Sequence, residues 1–499
     1  MASLANESET LSRLDNLSYP LLLHILSFLT ARELIKASKV KLSFFILSKI
    51  LYARTPSWKT SFGTCKGSKT DITGEELDEC VRGLMDRSTS FPNFGILFGE
   101  AGKFDESTGE SLSRVLSPDA VLIGGCVSAL ASVNTDCSED KAVNETDTSR
   151  SQFPRYSLSL ACMPETQRKA FFVSKDVLED TEEALSCVPS PDASESKDSG
   201  DWKVVILLVD QYSSGAGLHE FIQGIQEKCP SAEVVGGILG GGASNMIVVE
   251  NRKCTYYEKG IVGLCLGGRV VFNSQVSRAC KPMCEDFRVL ESQGRILKTV
   301  STKSGEVEMS GYNMAMQAMQ SMGGRRQAVF FGISDDLEKG YTLHNLAGAT
   351  QEGYLVLTTD EFKEGDYCRM FLLDPLSTRE DLQLRLEAAK EKCKAQSKTV
   401  LGGLLFTCGG RGYRFYKEKA VESTLFKNAM PDNVGLSGFF AGGEIGPEAL
   451  AMQNVNNDFR NKAAIQGFTA VYGVFFVPKD FTPSGKILEV AMETRNLSF

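Results

Sequence analysis

From residue 91 onward the chain repeats one texture: short runs rich in Val, Ile, Leu and Phe, broken by glycine and by amphipathic stretches. The runs are Gly95–Phe98, Val121–Ile123, Val204–Val209, Ile261–Leu266 and Val270–Phe272. They continue with Ala328–Ile333, Tyr354–Thr358, Arg369–Leu373, Val400–Thr407 and Ala470–Val477. Apolar runs of this length bounded by turn residues predict buried strands. Between them, Gly217–Lys228 and Asp381–Lys394 predict helices. In the second, Leu382, Leu386, Ala389 and Cys393 fall on one face. Interleaved strands and helices predict an α+β chain with a mixed α/β body, and 499 residues are enough for more than one domain.

The N-terminal region differs. Residues 12–60 predict a small helical module. Asn16 and Ser18 are candidate caps, and Pro20 suits a first helical turn. Leu22, Ile25, Leu26 and Leu29 then follow helical spacing, Leu34, Ala37 and Val40 line a second helix, and Phe44, Phe45, Leu47, Ile50 and Leu51 line a third up to Pro56. With Leu21, the first helix carries apolar residues around more of its circumference than one buried face needs, which predicts a partner surface. Residues 61–90 read as a polar connector with a helix near Glu75–Met85.

The net charge of −9 is concentrated rather than spread. Residues 176–201 hold nine acids against one lysine, and residues 132–152 hold five acids against two bases. Both stretches are poor in large apolar residues and predict disordered insertions. The acidic balance argues against a broad basic face, so neither nucleic acid nor an anionic membrane is an expected partner. The opening residues carry no apolar leader, and Leu21–Leu29 is too short to span a bilayer. The expected location is therefore cytoplasmic or nuclear, with the fourteen cysteines reduced.

Two glycine-rich segments stand out, Leu404–Gly412 (LLFTCGGRG) and Gly438–Pro447 (GFFAGGEIGP). In the first, a strand end runs into Cys408, Gly409, Arg411 and Gly412. In the second, Phe439 and Phe440 offer aromatic surface, Gly442 and Gly443 a tight turn, and Glu444 a lone acid among apolar neighbours. An Arg411–Glu444 pair is either a structural ion pair or the two ends of a site for a zwitterion. Cys408 is either an accessible thiol or a buried, inert one. Chemistry has little support elsewhere. His24, His219 and His344 have no nucleophile signature near them. Cys280 and Cys284 lack a second zinc-like pair, and the glycines of Val234–Asn245 lack the Gly-Lys-Ser/Thr of a phosphate loop. No enzyme activity, metal or cofactor is expected.

Residues Leu17–Phe44 resemble an F-box, through Leu17, Ile25-Leu26-Ser27-Phe28-Leu29, Glu33-Leu34, Val40 and Phe44. That resemblance implies docking on Skp1, and through it on a cullin-RING ubiquitin ligase, by Leu17, Pro20, Leu21, Leu22, Ile25, Leu26, Phe28, Leu29, Leu34, Val40 and Phe44. The segments around Arg411 and Glu444 resemble the C-terminal FIST domain. Val121–Cys126 and Val234–Gly242 resemble, more loosely, strand ends of the N-terminal FIST domain. FIST resemblance implies a sensory module for small ligands such as amino acids, with Cys408, Gly409, Arg411, Gly412, Phe439, Phe440, Gly443 and Glu444 as the candidate ligand or target contacts. The implied plan is an F-box at 12–60, a connector at 61–90, a FIST N-terminal domain at 91–275 and a FIST C-terminal domain at 285–480. The implied function is a non-catalytic substrate receptor that brings an unidentified protein to the ligase for proteasomal degradation. The alternative is a small-ligand sensor in signal transduction.

Overall fold

The computed structural model describes residues 56–479, apart from 65–70, 89, 91, 101–102, 117–118, 136–142, 146–154, 192–200, 241–244, 279, 321–327, 360–361 and 453–461. The predicted F-box residues, Leu17 to Phe44, lie outside the described residues.

Three six-stranded sheets form the body. The first has the order Ser57–Thr64, Arg155–Cys162, Phe94–Glu100, Val121–Cys126, Met246–Glu250, Lys253–Tyr257. The second runs Thr166–Ser174, Gly260–Gly268, Trp202–Val209, Glu233–Ile238, Glu444–Pro447, Ala463–Gln466. The third runs Val271–Ser277, Ala470–Pro478, Lys398–Cys408, Gly435–Ala441, Leu130–Val133, Val143–Glu145. All three share one pairing pattern. Only the third and fourth strands run parallel, and every other neighbouring pair is antiparallel.

The chain is therefore built from three copies of one unit, spanning 57–162, 166–268 and 271–478. Each unit supplies the first four strands of its own sheet and lends a hairpin to another. The first lends its hairpin to the third sheet, the second to the first, and the third to the second, which closes a ring. A parallel pair needs a crossover, and each unit provides a helix for it: Glu106–Val115, Ala216–Lys228 and Val421–Ala429. A second helix precedes each third strand: Gly74–Arg87, Thr181–Ser186 and Pro375–Ala395. The last of these starts earlier than the predicted Asp381, because Asp374 accepts from the Ser377 N–H at 2.8 Å and Pro375 sits in the first turn.

The sheets pack around one shared core, with the helices outside. On the central strands Ile96 and Phe98, Ile206 and Leu208, and Leu404 and Phe406 face this core. Their alternating neighbours Leu97, Leu207 and Leu405 face three separate outer cores. Burial on both faces is why these strands read as continuous apolar runs. Close strand packing also demands glycine at one equivalent position in each unit. A Cβ at Gly124, Gly236 or Gly438 would lie 2.5, 2.0 or 2.1 Å from the carbonyl oxygen of Leu97, Leu207 or Leu405.

One element breaks the threefold plan. Between Val271–Ser277 and Pro375–Ala395 the third unit carries an inserted nine-stranded sheet with a helix, Gly311–Gln320. It has its own core of Phe287, Val289, Leu297, Val300, Phe331 and Met370.

Three expectations change. Residues 57–60 are not helical, since Ser57–Thr64 pairs with Arg155–Cys162 along its whole length. Residues 61–90 are not a mere connector: the helix Gly74–Arg87 buries Leu77, Val81, Leu84 and Met85 in the first unit's outer core. Nor are the acidic stretches simple insertions. In 176–201, Val177–Glu179 and Thr181–Ser186 are helical, Asp180 accepts from the backbone of Glu182 and Glu183, and Leu178, Ala184 and Val188 are buried. In 132–152, Leu130–Val133 and Val143–Glu145 complete the third sheet. A few well-placed apolar side chains suffice where a larger body receives them, and one acid acts as a cap.

Candidate functional site

The strand Lys398–Cys408 ends in the tight turn Gly409–Arg411 at the top of the third unit. Arg411 is fully buried, and its partner is Glu422, not Glu444: Nε lies 2.8 Å from Glu422 Oε1, with both side chains out of contact with solvent. Nη1 donates to the Ser277 carbonyl at 2.7 Å, and Nη2 to Tyr416 Oη at 3.2 Å. The Tyr416 and Tyr472 hydroxyls donate to the two oxygens of Glu422 at 2.6 and 2.8 Å. Burial works against the arginine's charge, but Glu422 and the two tyrosines outweigh it and hold Arg411 protonated. Both charges are satisfied within the protein, so this cluster clamps Gly409–Arg411 and Val421–Ala429 onto the third sheet and leaves nothing for a ligand.

Glu444 is a different case. It opens the strand Glu444–Pro447, opposite Gly237 of the second unit, and is fully buried. Its Oε2 accepts from the Thr469 N–H at 3.2 Å and the Thr469 hydroxyl at 2.8 Å. Its Oε1 has no partner. Burial pushes the carboxyl up to about 7, against the Thr469 hydrogen bonds and the positive charges of Arg411 and Arg278. Arg278 lies within electrostatic reach, on the link leaving Val271–Ser277, and its buried Nε also lacks a partner. Burial pulls its pKa down, against Cys280 and the carboxylates of Glu448 and Glu444. The buried Thr407 hydroxyl is likewise unpartnered.

The remaining predicted contacts divide. Burial and the Glu444 carboxylate push the Cys408 thiol up, so it stays protonated rather than serving as a nucleophile. Phe439 and Phe440 do not form aromatic surface. Phe439 packs edge-on to Phe98 at 4.9 Å in the central core, and Phe440 is buried in the third unit's outer core. A Cβ at Gly443 would meet Ile238 at 2.8 Å, so that glycine serves packing. A Cβ at Gly409 or Gly412 would meet nothing nearer than 3.6 or 3.7 Å, so those two do not owe their identity to crowding. Arg278 and Thr469 escape sequence reasoning because Arg278 follows the largely polar stretch Asn273–Ser277 and Thr469 is a single polar residue before an apolar run.

A cleft of about 600 Å³ opens between the inserted sheet and the body. Asp335, Lys339, Lys363 and Asp366 line it from one side, and Glu448 and Leu450 from the link that follows Glu444–Pro447. Among the described residues no group of three or more His, Cys, Asp or Glu side chains could hold a metal ion. Among them, too, no helix is long and apolar enough to cross a membrane.

The FIST N domain matches residues 93–303, and the FIST C domain matches residues 312–447. An uncharacterized protein of Mycobacterium tuberculosis strain H37Rv is 26% identical over 275 residues, 54% of this chain and 67% of its own length. An uncharacterized protein of Mycobacterium bovis is 25% identical over 279 residues, again 54% of this chain and 67% of its own. The crystal structure of a chorismatase superposes with a TM-score of 0.28 at 7% identity, over 84% of this chain and 99% of that one, too remote a likeness to carry an argument. The FIST C match ends on the strand that begins with Glu444, and the FIST N match takes in Arg278. The chain thus carries a FIST N domain at residues 93–303 followed by a FIST C domain at residues 312–447.

Proposed function

We propose that the FIST body is a sensor for a small zwitterion of amino-acid type, held between Glu444 and Arg278. One observation carries this reading. A fully buried carboxylate keeps one oxygen unpartnered, and a neighbouring guanidinium keeps a buried nitrogen unpartnered. Buried polar atoms without partners are costly, and a half-satisfied carboxylate beside a half-satisfied guanidinium is the costliest such arrangement among the described residues. An ammonium donates to Glu444 Oε1 and a carboxylate accepts from Arg278, so one α-amino acid satisfies both.

The test is a thermal-shift screen of the full chain against the common amino acids. Binding at a hundred times Kd stabilises by about 2.7 kcal/mol. That shift should vanish in Glu444→Gln and in Arg278→Met. A shift that survives both substitutions rejects the site.

The span Leu17–Phe44 supports a second reading, in which an F-box docks this sensor on Skp1 and the ligand governs recruitment of a target to a cullin-RING ubiquitin ligase. Such an adaptor works by proximity alone, raising the target's effective concentration near the ligase. Co-purification with Skp1 should be lost in Ile25→Asp and in Leu26→Asp while the melting of the FIST body is unchanged. Undiminished capture by both variants removes this reading.

A further inference from the structure

The two connections of the inserted sheet run side by side. Cys280–Pro282, on the way out, pairs antiparallel with the end of Tyr367–Leu373, on the way back. The sheet therefore hangs on a two-stranded ribbon. Beyond the ribbon it docks through one small cluster, in which Phe330, Tyr341, Phe371 and Leu373 of the insert meet Phe415, Phe468 and Ala451 of the body. The Tyr341 and Ala451 backbones exchange two hydrogen bonds, at 2.9 and 2.8 Å. The cleft keeps part of the remaining boundary open. A lobe on a ribbon with a small docking face moves as a unit unless that face is held.

Each body residue of that face adjoins a buried polar group already described. Phe468 precedes Thr469, which gives both hydrogen bonds to the Glu444 carboxylate among the described residues. Phe415 precedes Tyr416, whose hydroxyl lies between Arg411 and Glu422. Ala451 lies on the link that leaves Glu444–Pro447. The shortest path runs through Phe468. Its ring meets Phe330 of the insert edge-on at 5.7 Å. Its backbone is held in the left-handed region, at φ 57°. A phenylalanine keeps that conformation only where its surroundings impose it. Here Thr469 is fastened to Glu444 on one side, and the ring is fastened to Phe330 on the other. The turn Gly467–Thr469 is a strained element gripped at both ends.

We propose that this turn couples the Glu444 carboxylate to the docking of the inserted sheet, so that a ligand on Glu444 Oε1 is read out as a tightening of the lobe on the body. The direction follows from the grip. A ligand that binds the carboxylate as Thr469 orients it favours the state in which the turn is held, and a held turn keeps Phe468 against Phe330. The ligand's part in this rests on the sensor reading; the coupling itself does not.

The test is hydrogen–deuterium exchange of the full chain, read at the Tyr341 and Ala451 amides, which bond across the docking face. Thr469→Val removes the hydroxyl at nearly constant shape and should speed both by roughly three- to tenfold, the worth of one hydrogen bond. Thr469→Ser keeps the hydroxyl and should leave them at the natural rate. Amides inside the insert, between Val329–Ser334 and Tyr367–Leu373, should not change in either variant. Phe330→Ala should also speed the two docking amides, and adding Thr469→Val to it should then have little further effect. Additive effects overturn the coupling, as does natural exchange in Thr469→Val. The common amino acids are then added in turn. Any that raises the melting temperature should slow the two amides in the natural protein and not in Glu444→Gln. One that raises melting without slowing them overturns the proposal. If the variants behave as expected but no amino acid shifts melting, the zwitterion reading falls while the coupling stands.

Discussion

Glu444 and Arg411 are both fully buried charged side chains in one corner of the fold, and they do opposite work. Arg411 has every partner it needs, and removing it would strand Glu422. Glu444 lacks one, and its carboxyl is raised from 4.5 to about 7. A raised acid favours the folded state while it is protonated. Its contribution is therefore complete below pH 4.5 and is lost as pH rises through 7. Glu444→Gln, which keeps the shape without the titration, should be the more stable form at pH 8 by on the order of 1–3 kcal/mol, with the gap closing toward pH 5. Urea melts at the two pH values measure this, and an unchanging gap would show that burial does not raise the Glu444 carboxyl above its unfolded value. Arg411 and Glu444 stand out in the sequence as a candidate pair, but each takes a different partner in the structure. Glu422 lies eleven residues beyond Arg411 on the helix Val421–Ala429, as anonymous in sequence as any helical acid. Thr469 reaches Glu444 because the strand Ala463–Gln466 pairs back on Glu444–Pro447, with Gln466 opposite Glu444.

At the scale of elements, the strands were legible wherever both faces are buried, since no polar residue interrupts such a run. They were obscure where one short hairpin strand completes a foreign sheet. Val143–Glu145 gains its place from its neighbour, not from its own composition. The helix Thr181–Ser186 was hidden because its exposed side is acidic and its buried side needs few apolar residues. The strand glycines also differ in what they do. A methyl group at Gly236 would sit 2.0 Å from a backbone oxygen that cannot rotate away, whereas at Gly409 it would have room. Gly236→Ala should cost about 1–3 kcal/mol or more, and Gly409→Ala close to nothing. Urea unfolding of the two variants compares them directly. Equal costs would mean that the close strand approach is not what selects glycine.

For the molecule as a whole, strand order could not be read from sequence because each sheet borrows two strands from another unit. The shared core and the exchanged hairpins leave no unit with a complete sheet of its own, so the body should unfold as one. The chain's two tryptophans lie in different units, Trp58 in the first and Trp202 in the second. In the Trp58→Phe variant Trp202 reports on the second unit's outer core, and in Trp202→Phe Trp58 reports on the shared core, where it stacks on Phe475 of the third unit at 5.1 Å. Normalised to the stability of each variant by circular dichroism, both should show the same transition as the whole chain. A unit that melts ahead of its variant's overall transition would break the ring into independent parts.

The exchange of hairpins also sets a timetable during synthesis. Leu130–Val133 pairs with Gly435–Ala441, a strand made roughly three hundred residues later, so its hairpin waits unpaired while the ribosome completes the rest. At translation rates of about 5–20 residues per second the wait is roughly 15–60 s. A nascent chain with a sheet edge open for that long presents unpaired backbone groups of the kind that template pairing with other chains, so its exposure to misassembly is longest at that hairpin.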